Sequence, residues 1–356
     1  MRIIQVLPTI SRGDAVSNHA LAIESALKRH RFITRIYAEN IDGKLPKGTA
    51  YYVRSMPRLA PRDIVLYHGS TGSQLNYDLP KLRGKKAMIY HNITPPQYFE
   101  RYSPRACELV KSGYEGMRFL ADKIEYCMAD SSYNKEELRK LGYTCRIDVC
   151  PLIIPFEDYT REPNRKVIER YSNDGFTNLL FVGRIAPNKK HEDIIRAFYC
   201  YQRRYNAKSR LFLVGNSGGM EYYLADLQRY AQRLGIAESV VFPGHIGFDE
   251  VLAYYTLADA FVCMSEHEGF CVPLVESMLF DIPIVAYASS AIPETLGGSG
   301  LLLADKDPEY VAAVIDRIVE DATLRSHVRA TQRSRLEAFE RATVTKRFME
   351  CIQTIA

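Results

Sequence analysis

Short apolar runs alternate with stretches of helical periodicity along the whole chain. Ile3 to Leu7 leads into a helix from Ser17 to Arg29; Ile64 to Tyr67 and Ala87 to Tyr90 follow, then a helix around Ala106 to Tyr126, and Ile147 to Cys150 closes the first series. Apolar strands separated by helices form the βαβ pattern of a parallel sheet with helices on its faces. A Pro- and charge-rich segment, Pro151 to Gly175, interrupts the pattern before a second series begins. Leu179 to Val182 precedes the helix Glu192 to Arg204, Leu211 to Val214 precedes Met220 to Leu234, and Val240 to Phe242 precedes Glu250 to Leu257. Ala260 to Met264 and Ile284 to Tyr287 complete the second sheet. The pattern predicts an α/β chain of two doubly wound, Rossmann-like domains facing across a cleft, over residues 1–165 and 166–335. Helices from Pro308 to Glu320 and from Leu324 onward bring no strand of their own, and residues 336–356 are expected to pack back on the first domain. Ligands of such sheets collect outside the carboxyl ends of the strands, where the order of the sheet reverses.

A chain of 356 residues is long enough for two separate cores. No apolar run approaches a bilayer span and the N-terminus enters a strand directly, so a cytoplasmic protein is expected. The eight cysteines form no C-x-x-C pair, which argues for reduced thiols and against a zinc site. Charge is uneven: residues 1–150 hold 24 Lys and Arg against 15 Asp and Glu, a net of +9, and the remainder carries −4. Arg54, Arg58 and Arg62 before one strand and Lys81, Arg83, Lys85 and Lys86 before the next make up part of that excess. A solvated basic face is one reading. The other is an anionic partner, a charged acceptor or the cytoplasmic face of a membrane. A nucleic-acid partner is not expected.

The chemistry concentrates at two turns of the second series. In Ser265 to Ser277, SEHEGFCVPLVES, Glu268 falls in the loop after a buried strand and Glu276 about one turn into the following helix. Two acceptor-only groups at a strand's carboxyl end suit a ligand rich in hydroxyls, although a first-turn Glu is also favoured by the helix dipole alone. In Gly183-Arg184-Ile-Ala-Pro-Asn-Lys189-Lys190-His191, three cations precede a helix N-terminus. That is a plausible diphosphate site, with a solvated basic loop as the alternative. Asp305-Lys306-Asp307 offers a D-x-D pattern, yet Asp307 before Pro308 and an amphipathic run reads as a helix N-cap. No metal site is predicted. No G-x-G-x-x-G follows a strand, which disfavours a dinucleotide oxidoreductase.

Taken together, these motifs resemble the retaining glycosyltransferases of family 4, which have the two-domain GT-B architecture. The resemblance rests on Gly183-Arg184 with Lys189, Leu213-Val214-Gly215, FPGHI at Phe242 to Ile246, LADAFVCMSEHEGF, the E-x7-E pair and Ile292-Pro-Glu294. It implies that Arg184 and Lys189 hold the donor diphosphate, with Lys190 a neighbouring candidate, that Glu268 bonds the transferred sugar, and that Glu276 bonds the ribose. Gly13, Gly183, Gly215, Gly269 and Phe270 are implied as places where backbone approaches the donor, and Gly244, His245 and Ile246 as the base-recognition segment. His91, at the end of Met88-Ile-Tyr-His91-Asn92, is implied beside the reacting sugar; His68 and Asn92 are acceptor-side candidates. Two departures stand out: Asp14 and Cys271 occupy positions where relatives commonly have glycine. The expected activity is metal-independent retaining transfer of a hexose-type sugar from a UDP- or GDP-sugar to a hydroxyl of a glycan or lipid-linked acceptor. The nucleotide-sugar is a co-substrate and no further cofactor is expected. A nucleotide-sugar epimerase and a non-catalytic sugar-nucleotide-binding protein are the rival readings.

Overall fold

A computed structural model describes residues 1–355, which divide into two compact units. The first comprises Met1–Gln97, Arg105–Pro155 and the C-terminal segment from Ala338; the second comprises Tyr98–Pro104 and Phe156–Glu337.

The first unit is a seven-stranded, fully parallel sheet. Its strands are β1 (Arg2–Ile10), β2 (Ile33–Ile41), β3 (Tyr51–Tyr52), β4 (Ile64–Gly69), β5 (Lys85–Tyr90), β6 (Tyr126–Ala129) and β7 (Arg146–Val149), in the order β3-β2-β1-β4-β5-β6-β7. The connecting helices are α1 (Ala15–Arg29), α2 (Leu75–Asp78), α3 (Pro104–Leu120) and α4 (Ser132–Lys140). Asp14 caps α1 by accepting from the Ser17 backbone N–H, which is why an acid replaces glycine there. Three strands hidden from the apolar pattern appear here: β2, the two-residue β3, and β6. β2, ITRIYAENI, alternates polar residues into a half-exposed strand, and β6 takes Tyr126, the residue read as a helix end, after α3 stops at Leu120.

The second unit begins with α5 (Arg165–Tyr171). It continues through β8 (Thr177–Val182), α6 (His191–Arg204), β9 (Ser209–Val214), α7 (Glu221–Arg233), β10 (Val240–Gly244), α8 (Phe248–Leu257) and β11 (Ala260–Cys263). After these come α9 (Val272–Leu279), β12 (Ile284–Tyr287), α10 (Ile292–Leu296), β13 (Leu301–Leu303), α11 (Pro308–Glu320) and α12 (Ala322–Leu336). The six strands are parallel in the order β10-β9-β8-β11-β12-β13. Strands β8, β9 and β11 are buried along nearly their whole length, as expected where helices cover both faces. Asp307 caps α11 through the Tyr310 N–H and accounts for the D-x-D pattern. The helix expected to run unbroken from Leu324 is split by a short 3-10 turn, Glu337–Phe339, whose Phe339 is buried. The final helix, α13 (Arg341–Ile355), belongs to the first unit, where Val344, Phe348 and Ile352 join a core with Ile3, Ile64 and Tyr126.

Both sheets reverse order beside their first strand, between β1 and β4 and between β8 and β11. These two points are where ligand-binding loops are expected to gather.

Candidate functional site

In the second unit, the loops after β8 and β11 meet at the switch point. The turn after β8 is a 3-10 turn, Pro187–Lys189, ending at Lys190 in the left-handed region, from which α6 starts. The loop after β11 ends at Cys271, also left-handed with φ of 69°, from which α9 starts. Backbone bonds tie the loops together: the Glu266 N–H donates to Asn188 O at 2.9 Å, and Asn188 Nδ2 donates to His267 O at 3.0 Å. The close approach of β8 and β9 requires glycine, because a Cβ on Gly215 would lie 1.9 Å from Gly183 O.

These loops place Lys189 and Glu268 in direct contact. Lys189 Nζ lies 2.5 Å from Glu268 Oε2, with side-chain exposures of 19% and 7%. Burial works against the Lys189 charge, but the Glu268 carboxylate outweighs it and the ammonium pKa rises. A second group, Lys306, Glu266, Asp193 and Lys190, surrounds this pair. Lys306 Nζ reaches Glu266 at 2.5 Å and Asp193 at 2.8 Å, while Lys190 lies 3.4 Å from Glu266 and 3.7 Å from Glu192. Lys190 is therefore committed to carboxylates beside the site. Arg184 points the other way along the strand ends, its Nη2 donating to Gly218 O at 3.1 Å in the loop after β9. Ser290 Oγ, from the loop after β12, accepts from the Glu268 N–H at 2.8 Å, and Thr295 holds Phe270 O at 2.5 Å.

Glu276 sits on α9 with both carboxylate oxygens engaged, by Tyr159 and Tyr255 hydroxyls at 2.5 Å each. Burial raises its pKa and the two hydroxyls oppose the rise. Each oxygen keeps acceptor capacity for a further hydroxyl. His245 is exposed and Ile246 half-buried in the loop after β10.

In the first unit, the residues read at strand ends form a buried relay. Gln5 Nε2 donates to Ala20 O, so its Oε1 accepts from His68 Nε2 at 2.9 Å. His68 is fully buried and its pKa is lowered by burial, with His91 and His19 adding to the effect, so it is neutral. A neutral His68 that donates from Nε2 accepts at Nδ1 from His91 Nε2, 2.9 Å away. His91 Nδ1 then faces Asp130 Oδ2 at 2.9 Å, where one proton is shared. His19 stacks edge-on with its ring centre 5.4 Å from that of His91 and is likewise held neutral by burial.

The relay fixes the surroundings of both histidines and corrects the acceptor reading of His68. His68 has no exposed surface for an acceptor. His91 spends both ring nitrogens within the unit, its side chain 2% exposed, and its Nε2 carries the hydrogen, leaving no lone pair there for base chemistry. Asn92, left-handed with φ of 76°, bonds Asn134 at 2.8 Å and Glu137 at 2.5 Å. Gly13 lies just before the α1 cap with φ of 76° and open space around its Cα. Arg58 and Arg62 precede β4, Lys81 and Arg83 precede β5, and Lys85 and Lys86 are the first residues of β5, at the amino ends of these strands and opposite the edge that carries His91 and Asn92; Arg54 lies in the 3-10 turn that follows β3. Lys81 pairs with Asp78 at 2.5 Å and Lys85 Nζ bonds Ile355 O at 2.7 Å.

Sequence reasoning missed Gln5, His19 and Asp130 in the first unit and Tyr159, Tyr255, Ser290 and Lys306 in the second. Of these only Lys306 lies within a pattern noted in the sequence, Asp305-Lys306-Asp307, and Asp130 gave no signal because the strand that ends before it is not visible in the apolar pattern. Two sets of ligand atoms are close enough to hold a metal: His19, His91 and Asp130, and Cys263, Glu268 and Cys271, each set within 4.8 Å. In both, the carboxylate already has an internal partner, His91 or Lys189.

Residues 162–335 match the family model of glycosyl transferases group 1. An uncharacterized glycosyltransferase of Methanocaldococcus jannaschii is 32% identical over 152 residues, 42% of this chain and 37% of that protein. O-antigen chain mannosyltransferase B of Escherichia coli is 24% identical over 267 residues, 73% of this chain and 66% of that protein. The GDP-mannose-dependent α-(1-6)-phosphatidylinositol monomannoside mannosyltransferase of Mycolicibacterium smegmatis is 31% identical over 191 residues, 51% of this chain and 49% of that protein. The chain thus spans between 37% and 66% of the length of these relatives. Sucrose-phosphate synthase from Thermosynechococcus elongatus superposes with a TM-score of 0.77 at 15% identity, covering 99% of both chains. Anabaena HepE in complex with UDP and glucose superposes with a TM-score of 0.75 at 16% identity, covering 99% of this chain and 100% of that one. At such identities the likeness is one of fold, two Rossmann-like domains of the GT-B type. The family model and the relatives support a glycosyltransferase of that fold.

Proposed function

We propose that the protein is a retaining glycosyltransferase of family 4, carrying the E-x7-E pair as Glu268 and Glu276. In this reading it moves a hexose-type sugar from a UDP- or GDP-sugar to a hydroxyl of a glycan or lipid-linked acceptor, at the cytoplasmic side and without a metal. The observation that carries the reading is the buried Lys189–Glu268 pair at the β8/β11 switch point, inside the segment that matches the family model. The GDP-mannose-dependent relatives and the neighbour that binds UDP and glucose support a nucleotide-sugar donor.

The chemistry follows from charge. Departure of the nucleotide leaves negative charge on the β-phosphate, which Arg184 and Lys189 stabilise as preorganised cations. Glu268 holds the sugar while its partner Lys189 faces the phosphate, so one ion pair aligns the two ends of the breaking bond. The motifs supply no nucleophile for a double displacement. The acceptor therefore attacks from the face that the phosphate leaves, and that phosphate takes the acceptor proton. His91, with its lone pairs engaged, contributes orientation rather than base chemistry.

The test is a thermal-shift and turnover panel of UDP-, GDP- and ADP-sugars on the parent and on Arg184→Ala and Lys189→Ala. A donor at a hundred times its dissociation constant should stabilise the parent by about 2.7 kcal/mol. Each substitution should slow transfer by roughly a hundred- to thousandfold, as losing one preorganised donor to a developing anion costs about 3–4 kcal/mol. Turnover within a fewfold of the parent in both variants rejects the phosphate assignment.

A further inference from the structure

Six of the eight cysteines approach one another in pairs, although no sequence motif pairs them. Cys127 and Cys145 have sulfurs 3.7 Å apart, Cys263 and Cys271 lie within 4.8 Å, and Cys150 neighbours Cys351. The pairs differ in access. Cys263, Cys271, Cys150 and Cys351 are all buried, so neither member of those pairs is open to an oxidant arriving from solvent. Cys145 alone among these six is partly exposed, with its partner Cys127 fully buried behind it.

The setting of Cys145 is that of a reactive thiol. Its pKa falls to about 7, first because of the hydrogen bond it shares with Cys127 and then because of the nearby Arg139 charge, with burial opposing both. The Cys127 thiol shifts the opposite way, above its ordinary range, chiefly through burial. One sulfur is therefore the nucleophile and the other the proton-bearing partner, an asymmetry that suits stepwise oxidation. Position allows closure. Cys127 lies in β6 opposite Ile147 of β7, whereas Cys145 directly precedes β7 and lies outside its ladder, so a shift of the Cys145 turn, which breaks no pair of that ladder, would bring the sulfurs from 3.7 Å to the roughly 2 Å of a disulfide.

We propose that Cys145 and Cys127 form a peroxide-responsive dithiol in which Cys145 is oxidised first and Cys127 resolves it. The Cys145 thiolate attacks one oxygen of hydrogen peroxide, the O–O bond breaks, and hydroxide leaves, giving Cys145 sulfenic acid. The Cys127 thiol then attacks that sulfur, the S–O bond breaks, and water leaves with the Cys127 proton. The protein loses two hydrogens and peroxide is reduced to water. The ring so closed contains Asp130, Asn134 and Glu137, the partners of His91 and Asn92. Oxidation thus bears on the segment that sets the first unit's strand-end residues.

The experiment treats the full chain with stoichiometric hydrogen peroxide and follows intact mass and peptide maps, with and without a reductant. The expected result is loss of two hydrogen masses, a Cys127–Cys145 cross-link in the map, and full recovery on reduction. Cys145→Ser should abolish that loss, and Cys127→Ala should leave Cys145 as a sulfenic acid that a dione probe traps. Cys145→Ser alters a half-exposed loop residue, so it keeps the test open should Cys127→Ala not fold. The proposal is overturned by a cross-link mapping to Cys150–Cys351 or Cys263–Cys271 instead. Direct conversion of Cys145 to sulfinic acid with Cys127 still reduced, or inert thiols throughout, overturns it as well.

Discussion

Glu268 and Glu276 stand eight positions apart in the chain, yet the structure gives them different electrostatic lives. Glu268 faces an ammonium, and Glu276 faces two neutral hydroxyls. Loss of charge should therefore separate them. Glu276→Gln should weaken binding of free nucleotide diphosphate and of donor alike, while Glu268→Gln should weaken only the sugar-bearing donor. Calorimetry with UDP, GDP and their sugars reads the split, and the reverse pattern rejects the assignment. His191, the first residue of α6, gives a second test at this scale. It is fully buried and its pKa is depressed to about 3, first by burial and then by Lys189. Because the folded pKa lies below the unfolded value of 6.5, the unfolded chain binds the extra proton. His191 thus contributes stability that is complete above pH 6.5 and is lost as pH falls toward 3. Between pH 7 and pH 5 the parent should lose about 2 kcal/mol more than His191→Phe, at about 1.4 kcal/mol per pH unit per proton, in urea unfolding. Equal losses in the two proteins remove His191 from the account.

At the scale of elements, the loops after β8 and β11 are held by backbone contact as well as by side chains. Gly183 and Gly215 touch where β8 and β9 end, and the β8 and β11 loops exchange hydrogen bonds through Asn188. Gly215→Ala should force these strand ends apart, at a cost of about 1–3 kcal/mol, and should weaken donor binding although position 215 bears no charge. A melting temperature and donor affinity equal to the parent's would show that the two loops are independent. Much of this layer was legible beforehand. The apolar runs marked β1, β4, β5 and β7 to β12, and Asp307-Pro308 marked the start of α11, because burial and capping are written in local residue type. β2, β3, β6 and β13 were not legible: β2 mixes polar residues into a half-exposed strand, β6 is only four residues long and follows a helix closely, and β3 and β13, the edge strands of the two sheets, are two and three residues long, so β13 extends a sheet expected to end at β12.

Over the whole molecule, the charge asymmetry has a location as well as a sign. Arg58, Arg62, Lys81, Arg83, Lys85 and Lys86 lie before or at the start of β4 and β5, at the amino ends of these strands and away from the edge that carries His91 and Asn92, and Lys81 and Lys85 are already paired. We propose that these charges serve contact with an anionic surface rather than acceptor recognition, at about 1 kcal/mol per residue and within a Debye length of about 8 Å. Reversing the exposed Arg54, Arg58 and Arg62 should leave donor affinity and the KM of a soluble acceptor within twofold. The same variant should lose salt-sensitive binding to anionic vesicles. A tenfold rise in acceptor KM would place these residues at the site after all. Among the described residues no helix is long and apolar enough to cross a membrane.

By itself the sequence determined the class of the fold and marked the two loops of the second unit that carry the candidate residues. Strand burial repeats in local apolar runs, and Arg184, Lys189, Glu268 and Glu276 lie in two short segments next to strand ends, where parallel sheets expose their loops. Only the tertiary structure decided which groups face one another. It paired Lys189 with Glu268 and set Tyr159 and Tyr255 on Glu276. It also turned His68 and His91 inward toward Gln5 and Asp130. Those partners come from residues tens of positions away, and a hydrogen bond depends on separation in space, which parallel crossover connections do not preserve along the chain.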